Sequence, residues 1–145
     1  MTGDGIGLVV FAHGSRVVAA NEAVRVVALE AARQAGMAAH RTAFLELAEP
    51  TLSQAVADLA KEGVQRVVVT PYFLTMGRHL VEDLPRLLEA ARAEHPDLTV
   101  EASPPLDGHP DLAGILADRA RDMLTRMRSA NDPYAGVVSA ASADG

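Results

Sequence analysis

The sequence contains no cysteine. A chain without thiols has no disulfide framework, no thiolate metal centre and no cysteine nucleophile. Any metal ion that the protein handles must therefore be held by histidine, aspartate or glutamate side chains. Histidine is available for this purpose, because the 145 residues include five copies of it.

Positive charge is also scarce. Thirteen Lys and Arg residues against 19 Asp and Glu residues give a formal net charge of -6, which argues against a nucleic-acid partner. No apolar run approaches the roughly 20 residues that a membrane-spanning helix needs, and the first residues, M-T-G-D-G, lack the basic start and apolar core of a signal peptide. We expect a soluble, cytoplasmic protein without a membrane partner.

Several catalytic motifs are missing too. The chain has no G-x-x-x-x-G-K-[ST] loop and no G-x-G-x-x-G after its first predicted strand, so the usual backbone cradles for nucleotide phosphates are absent. It has no G-x-S-x-G nucleophile elbow. A phosphohistidine phosphatase would need arginine before the first histidine, where Ala12 stands. A response-regulator receiver would need an acidic cluster at its strand ends, which this sequence does not supply.

The composition is that of a globular protein. Hydrophobic residues make up 49% of the chain and charged residues 22%, and a chain of this length fits one domain with its own core. We expect this domain to span residues 1–128. Residues 129–145 are small and unpatterned, which is typical of a flexible tail.

Strand-like and helix-like patterns alternate along the domain. The predicted elements are a strand from Leu8, a helix over 20–35 ended by Gly36, a strand over 40–47, a helix with a Thr51/Gln54 capping box ended by Gly63, a strand over 65–73, a helix around 80–91, a strand over 98–102 and a helix from about Asp111 to Arg128. Proline lacks an amide hydrogen, so Pro85 is expected near the first turn of the third helix or at a kink.

This β-α alternation predicts a three-layer α/β fold with a four-stranded parallel sheet. The flavodoxin-like strand order is the simplest choice, with strand one between strands two and three. In such a sheet the chain reverses its winding direction between strands one and three, and ligands bind outside the carboxyl ends of the strands at that point.

Two histidines follow buried strands at this expected ligand edge. His13 ends the run L-V-V-F-A-H-G-S-R, and His79 follows V-V-V-T-P-Y-F-L-T-M-G-R. Imidazole binds first-row divalent ions and accepts a proton near neutral pH. We interpret His40 and His95 as ordinary surface residues. His109, in H-P-D, either caps the last helix or faces the site.

Charged residues accompany both histidines. Arg16 and Arg78 carry planar guanidinium groups suited to carboxylates or phosphates, and the alternative for each is a solvated loop charge. Glu46 and Glu49 stand at the end of strand two, so at least one should reach the same crevice. Glu49 lies beyond the expected strand end and is the preferred site residue, whereas Glu46 is the alternative.

Four separated motifs carry a family resemblance: A-H-G-S-R followed by A-N-E, F-L-E-L-A-E-P-T-L, P-Y-F-L-T-M-G-R-H-L-V-E-D-L-P, and P-P-L-D-G-H-P. With them the chain resembles the small, single-domain class II chelatases, which insert a divalent metal into sirohydrochlorin. The resemblance covers roughly residues 8–121. One departure is Val17-Val18, where many relatives carry Asp-Pro.

The resemblance implies roles for individual residues. His13 and His79 match the metal-binding histidines, and His13 also matches the proton acceptor. Glu49 matches a catalytic and substrate-binding position. The remaining matched substrate-binding residues are Leu74, Thr75, Met76, Gly77, Arg78 and His79. Cobalt, iron or nickel would be a substrate, with a sirohydrochlorin-type tetrapyrrole as the other, and no organic cofactor is implied.

The chemistry agrees with these roles, because metal insertion needs a base for two pyrrole protons, a loosely held ion and cations for peripheral carboxylates. Arg16 and Arg78 would supply those cations. A non-catalytic metal or tetrapyrrole carrier with the same two-histidine pocket is the alternative. One four-stranded domain offers one wall for a broad macrocycle, and the chain has no internal repeat, so we expect a homodimer.

Overall fold

The computed structural model describes residues 5–131. Its elements are β1 (Ile6–Ala12), α1 (Val18–Ala35), β2 (Ala39–Phe44), α2 (Leu52–Lys61), β3 (Arg66–Pro71), α3 (Arg78–Glu94), β4 (Thr99–Ala102) and α4 (Asp111–Ala130). The chain divides into two units after Asp107. The first unit contains the sheet with α1, α2 and α3, and the second contains α4.

The four strands form one parallel sheet in the order β2-β1-β3-β4. The flavodoxin-like order predicted from the sequence is therefore confirmed. Since β1 lies between β2 and β3, the connection from β1 to β2 and the connection from β2 to β3 run in opposite directions across the sheet. Parallel crossovers are right-handed, so this reversal places α1 on one face of the sheet and α2 and α3 on the other.

Side chains of β1 pack on both faces of the sheet, as its unbroken apolar run predicted. Val9 and Phe11 belong to the larger core cluster, which contains the buried residues of α2 and α3. Leu8 and Val10 contact the smaller cluster with Ala28 and Ala32 of α1. The small alanine side chains let α1 lie close to the sheet, so the three predicted layers are present in this unit.

Local signals place several helix ends correctly. Gly36 ends α1 with a φ of 70°, and its amide bonds to carbonyls in the last turn. Thr51 and Gln54 form the predicted capping box of α2, in which each side chain accepts from the other residue's amide. Within residues 5–131 no helix is long and apolar enough to cross a membrane.

Several element boundaries differ from the sequence prediction by two or three residues. The strand predicted over 40–47 spans Ala39–Phe44, and the chain turns at Leu47, whose φ is 65°. Helix α3 begins earlier than expected, at Arg78, so Pro85 is its eighth residue. Pro85 leaves the Val81 carbonyl without its helical donor. The buried stripe of Leu80, Leu84, Leu88 and Ala91 anchors both halves of the helix to the core.

Helix α4 starts at Asp111 as predicted and continues two residues past Arg128. Asp111 in its first turn and Arg128 in its last turn have the charges that the helix dipole favours. The ring Nδ1 of His109 accepts from the Asp111 amide at 3.1 Å, which is the capping alternative for this histidine. Of the predicted tail over 129–145, residues 132–145 lie outside the described part of the chain.

Replacing Thr51 with Ala should lower the free energy of unfolding by about 1 kcal/mol, because the Gln54 amide loses its capping acceptor. Urea denaturation monitored by circular dichroism measures this change. Thr51→Ser keeps the hydroxyl and serves as the control. Equal stability of the Ala and Ser variants would contradict a contribution from the cap.

Candidate functional site

Four loops meet at the carboxyl edge of the sheet and are joined by backbone hydrogen bonds. The Tyr72 amide donates to the Phe11 carbonyl at 2.7 Å, which extends the pairing of β3 with β1. The amides of Ser103 and Leu106 donate to the carbonyls of Val69 and Phe73, each at 2.9 Å. The loops after β1, β3 and β4 are therefore held together by main-chain contacts. The loop after β2 joins them through the residues described next.

The side chains of His13 and Glu46 are in contact at this edge. His13 Nε2 lies 3.0 Å from Glu46 Oε1, and the side chains are 51% and 57% exposed. The backbone aligns the two residues, because the Glu46 amide donates to the His13 carbonyl at 3.0 Å and the Leu45 amide donates to the Ala12 carbonyl at 2.9 Å. A nitrogen donor and an oxygen donor thus stand side by side with access to solvent.

Gly14 makes this close approach possible. Its φ is 95°, a conformation that residues with a side chain rarely adopt. A Cβ atom at this position would lie 1.8 Å from the Glu46 carbonyl oxygen. Any other residue would push the loop after β2 away from His13. The glycine of the H-G-S-R motif is therefore required by packing.

Asn21 anchors the H-G-S-R loop to α1. Its Oδ1 accepts from the Ser15 amide at 3.0 Å, and its Nδ2 donates to the Ser15 carbonyl at 2.8 Å. The side chain is buried, with 8% exposure. The sequence placed Asn21 in a motif without giving it a role. The available signal was its position on the same helix face as Ala28 and Ala32, where a polar residue needs a partner.

Arg16 and Arg78 are both exposed, and neither forms an ion pair with another residue of the range 5–131. Their guanidinium groups thus keep their hydrogen-bonding capacity for a ligand. His79 is exposed as the second residue of α3, not in a loop before the helix, as the sequence suggested. Gly77 caps this helix without a side-chain hydrogen bond, so amide groups of its first turn face the same loop region.

The predicted substrate-binding segment is mostly exposed, as a ligand-contacting segment must be. The exposed residues are Leu74, Thr75, Gly77, Arg78 and His79, whereas Met76 is partly buried against the larger core cluster. The Leu74 carbonyl accepts from the Asp107 amide at 2.8 Å. The segment is therefore fixed at both ends, by this contact and by α3.

Glu49, the carboxylate preferred from the sequence, has other neighbours than His13. It lines a cavity of about 660 Å³ beside the edge strand β2, together with Arg25, His40 and Arg41. The Glu49 carbonyl accepts from Arg25 Nη2 at 3.3 Å, and the Arg25 guanidinium lies 5.5 Å from the centre of the Phe44 ring. The carboxylate in contact with His13 is that of Glu46, the alternative to Glu49 in the sequence analysis.

His40 and His95 line two cavities whose walls do not include His13 or Glu46. His40 is partly buried in the cavity with Glu49. His95 ends α3 and lines a smaller cavity with Asp97. Among residues 5–131, no three His, Asp or Glu side chains converge as a preformed metal site. His13 and Glu46 offer two donors, and His79 follows the neighbouring strand.

Asn21→Ala should destabilise the protein by about 1–3 kcal/mol, because the Ser15 amide and carbonyl lose their partners. Gln34→Ala, on the exposed side of the same helix, is the control. Urea unfolding compares the two variants. A change below that of the control would show that water replaces the carboxamide without cost.

Comparison with known proteins identifies the family. The CbiX family model matches residues 7–123. The chloroplastic sirohydrochlorin ferrochelatase of Arabidopsis thaliana is 31% identical over 130 residues, which are 90% of this chain and 58% of that protein. The sirohydrochlorin cobaltochelatase of Methanococcoides burtonii is 28% identical over 127 residues, 82% of this chain and 97% of that protein.

Solved structures agree. A CbiX protein assigned to cobalamin (vitamin B12) biosynthesis in Marinobacter aquaeolei VT8 superposes with a TM-score of 0.73 at 30% identity, covering 83% of this chain and 98% of that chain. The chelatase SirB of Bacillus subtilis subspecies spizizenii, solved with cobalt, shares the fold with a TM-score of 0.75 at 22% identity. This chain matches half of SirB and 58% of the Arabidopsis protein in length. The chain belongs to the CbiX family.

Proposed function

We propose that this protein is a sirohydrochlorin chelatase, which inserts a divalent metal ion into the tetrapyrrole. The observation that carries the proposal is the 3.0 Å contact between His13 Nε2 and Glu46 Oε1 at the carboxyl edge of the sheet. It supports the proposal because an imidazole and a carboxylate lie side by side at the edge where ligands of parallel α/β sheets bind. Relatives in the same family are named for this reaction with cobalt and with iron.

In the proposed reaction His13 accepts protons from the pyrrole nitrogens as the metal enters. An imidazolium formed at His13 would be stabilised by the Glu46 carboxylate through a charge-assisted hydrogen bond. Both side chains are about half exposed, so water can carry each proton away before the next is taken. Two pyrrole protons leave and one divalent ion enters, so charge balances without a redox step.

The metal is a substrate in this proposal. His13 and Glu46 hold it, and His79 is a further ligand. Imidazole and carboxylate donors suit cobalt, iron and nickel alike. The relatives named above include both a ferrochelatase and a cobaltochelatase. We therefore assign a divalent first-row ion and leave the choice among these metals to the assay.

The macrocycle is held by charge and by main-chain donors. Arg16 and Arg78 are exposed without an ion-pair partner in the described chain, and they are proposed to bind peripheral carboxylates as planar forks. The first-turn amides of α3 lie beside Arg78 and favour an anion through the helix dipole. This local positive charge offsets the net charge of -6. The cytoplasmic location predicted from the sequence stays a prediction.

His13→Ala should lower the rate of metal insertion by about 100-fold, the size of a lost general base. Glu46→Gln should lower it about tenfold, since one charge-assisted bond is weakened. His79→Ala should raise the metal concentration needed for half-maximal rate. Anaerobic absorbance assays with sirohydrochlorin and Co²⁺ or Fe²⁺, corrected for spontaneous insertion, measure these rates.

Glu49→Gln is the matched comparison, because it makes the same chemical change at a glutamate that lines the cavity beside β2. We expect near wild-type rates. A large loss in Glu49→Gln with retained activity in Glu46→Gln would reverse the assignment of the site carboxylate. A wild-type protein that binds tetrapyrrole stoichiometrically without turnover would favour the carrier function instead.

We also propose that the working unit is a homodimer, in which a second copy encloses the other face of the macrocycle. The support is that one sheet edge provides one wall and that a longer chelatase of the same fold, SirB, has twice the matched length. Light scattering at assay concentration should give twice the one-chain mass of 15.2 kDa. Full activity in a species of one-chain mass would contradict the dimer.

A further inference from the structure

Leu47 stands where neither the backbone nor the core favours a leucine. Its φ of 65° makes it the only residue other than glycine in the left-handed region within 5–131. Glycine and asparagine adopt this conformation more readily than leucine does. The residue is also 52% exposed, so burial does not account for the large apolar side chain.

The backbone around Leu47 is firmly held. The Leu45 and Glu46 amides bond to the carbonyls of Ala12 and His13, and the Phe44 amide donates to the Pro50 carbonyl at 2.9 Å. The Glu46 carbonyl packs against the bare Cα of Gly14. The chain therefore turns directly after the residue whose carboxylate meets His13, and it turns at Leu47.

Further exposed apolar residues lie in the loops at this sheet edge. Val17 follows β1, and Tyr72 and Leu74 follow β3. Leu47 follows β2, so the three strands that meet at the site each contribute an exposed apolar residue near their carboxyl ends. The flat faces of a tetrapyrrole are apolar, and its carboxylates lie at the periphery. These exposed apolar residues therefore suit contact with a ring face rather than with the rim.

We propose that Leu47 contacts the flat face of the tetrapyrrole and that the unfavourable backbone conformation is retained because it presents this side chain beside the His13–Glu46 pair. The inference rests on the proposed chelatase function. Strained backbone that the surrounding contacts impose is often found where a ligand is held. A contact with the ring face holds substrate and transition state equally, so its loss should affect KM and leave kcat unchanged.

The test compares Leu47→Gly and Leu47→Asn with Leu47→Met. The first two variants suit the left-handed backbone and remove the apolar side chain, whereas Met keeps an unbranched apolar side chain. Binding of metal-free sirohydrochlorin should weaken about fivefold to tenfold in the Gly and Asn variants, the effect of losing half of a leucine's burial. The Met variant should stay within about twofold of wild type. Leu29→Gln, on the exposed face of α1, is the matched control and should bind normally.

Thermal melting separates ligand contact from a structural role. The Gly and Asn variants should melt at the wild-type temperature or above it, because the backbone strain is relieved. Equal sirohydrochlorin affinity in all Leu47 variants, with an active wild type, would overturn the inference. A lower melting temperature that accompanies the loss of binding would do the same, since it would mark Leu47 as structural. A wild type that neither binds sirohydrochlorin nor inserts metal would overturn the proposed function as well.

Discussion

The site depends on the close approach of two backbone segments, the end of β1 and the loop that follows β2. Two amide-to-carbonyl bonds, from Leu45 and Glu46 to Ala12 and His13, continue the strand pairing past the end of β2. Gly14 permits this approach, because a Cβ atom there would overlap the Glu46 carbonyl. The side-chain contact between His13 and Glu46 follows from this main-chain arrangement, so the sheet fixes the position of the pair.

The residues that stabilise the fold and the residues that are accessible to a ligand lie in different parts of the sheet. The middle of β1 is buried on both faces, with Val9 and Phe11 in one cluster and Leu8 and Val10 in the other. Polar and exposed residues begin where the strand ends, at His13. Loops at such an edge can change without disturbing the core, and Asn21 adds a buried anchor that ties the first loop to α1.

Much of this arrangement was predictable from local patterns. Alternating periodicity gave the parallel fold, and Gly36 and the Thr51/Gln54 box marked helix ends correctly. The contact between Glu46 and His13 was harder to predict, because the chain turns at a left-handed Leu47 directly after Glu46, and leucine gives no sequence signal for that conformation. The first residue of α3 could not be predicted either, because Gly77 caps the helix without a side-chain hydrogen bond and Pro85 is normally a helix breaker.

In the proposed reaction the metal is a substrate rather than a resident ion, and the partial exposure of the His13–Glu46 pair suits this role. Two protein donors occupy fewer positions than a first-row divalent ion fills, so water or the nitrogens of a macrocycle must complete its coordination. Each water that the ring nitrogens replace would move the ion from the protein towards the ring. Proton acceptance by His13 would also remove one metal ligand at the moment of transfer, because a protonated imidazole nitrogen cannot bind a metal. Release of the metal and deprotonation of the pyrroles would then be coupled at one side chain, with Glu46 stabilising the resulting charge.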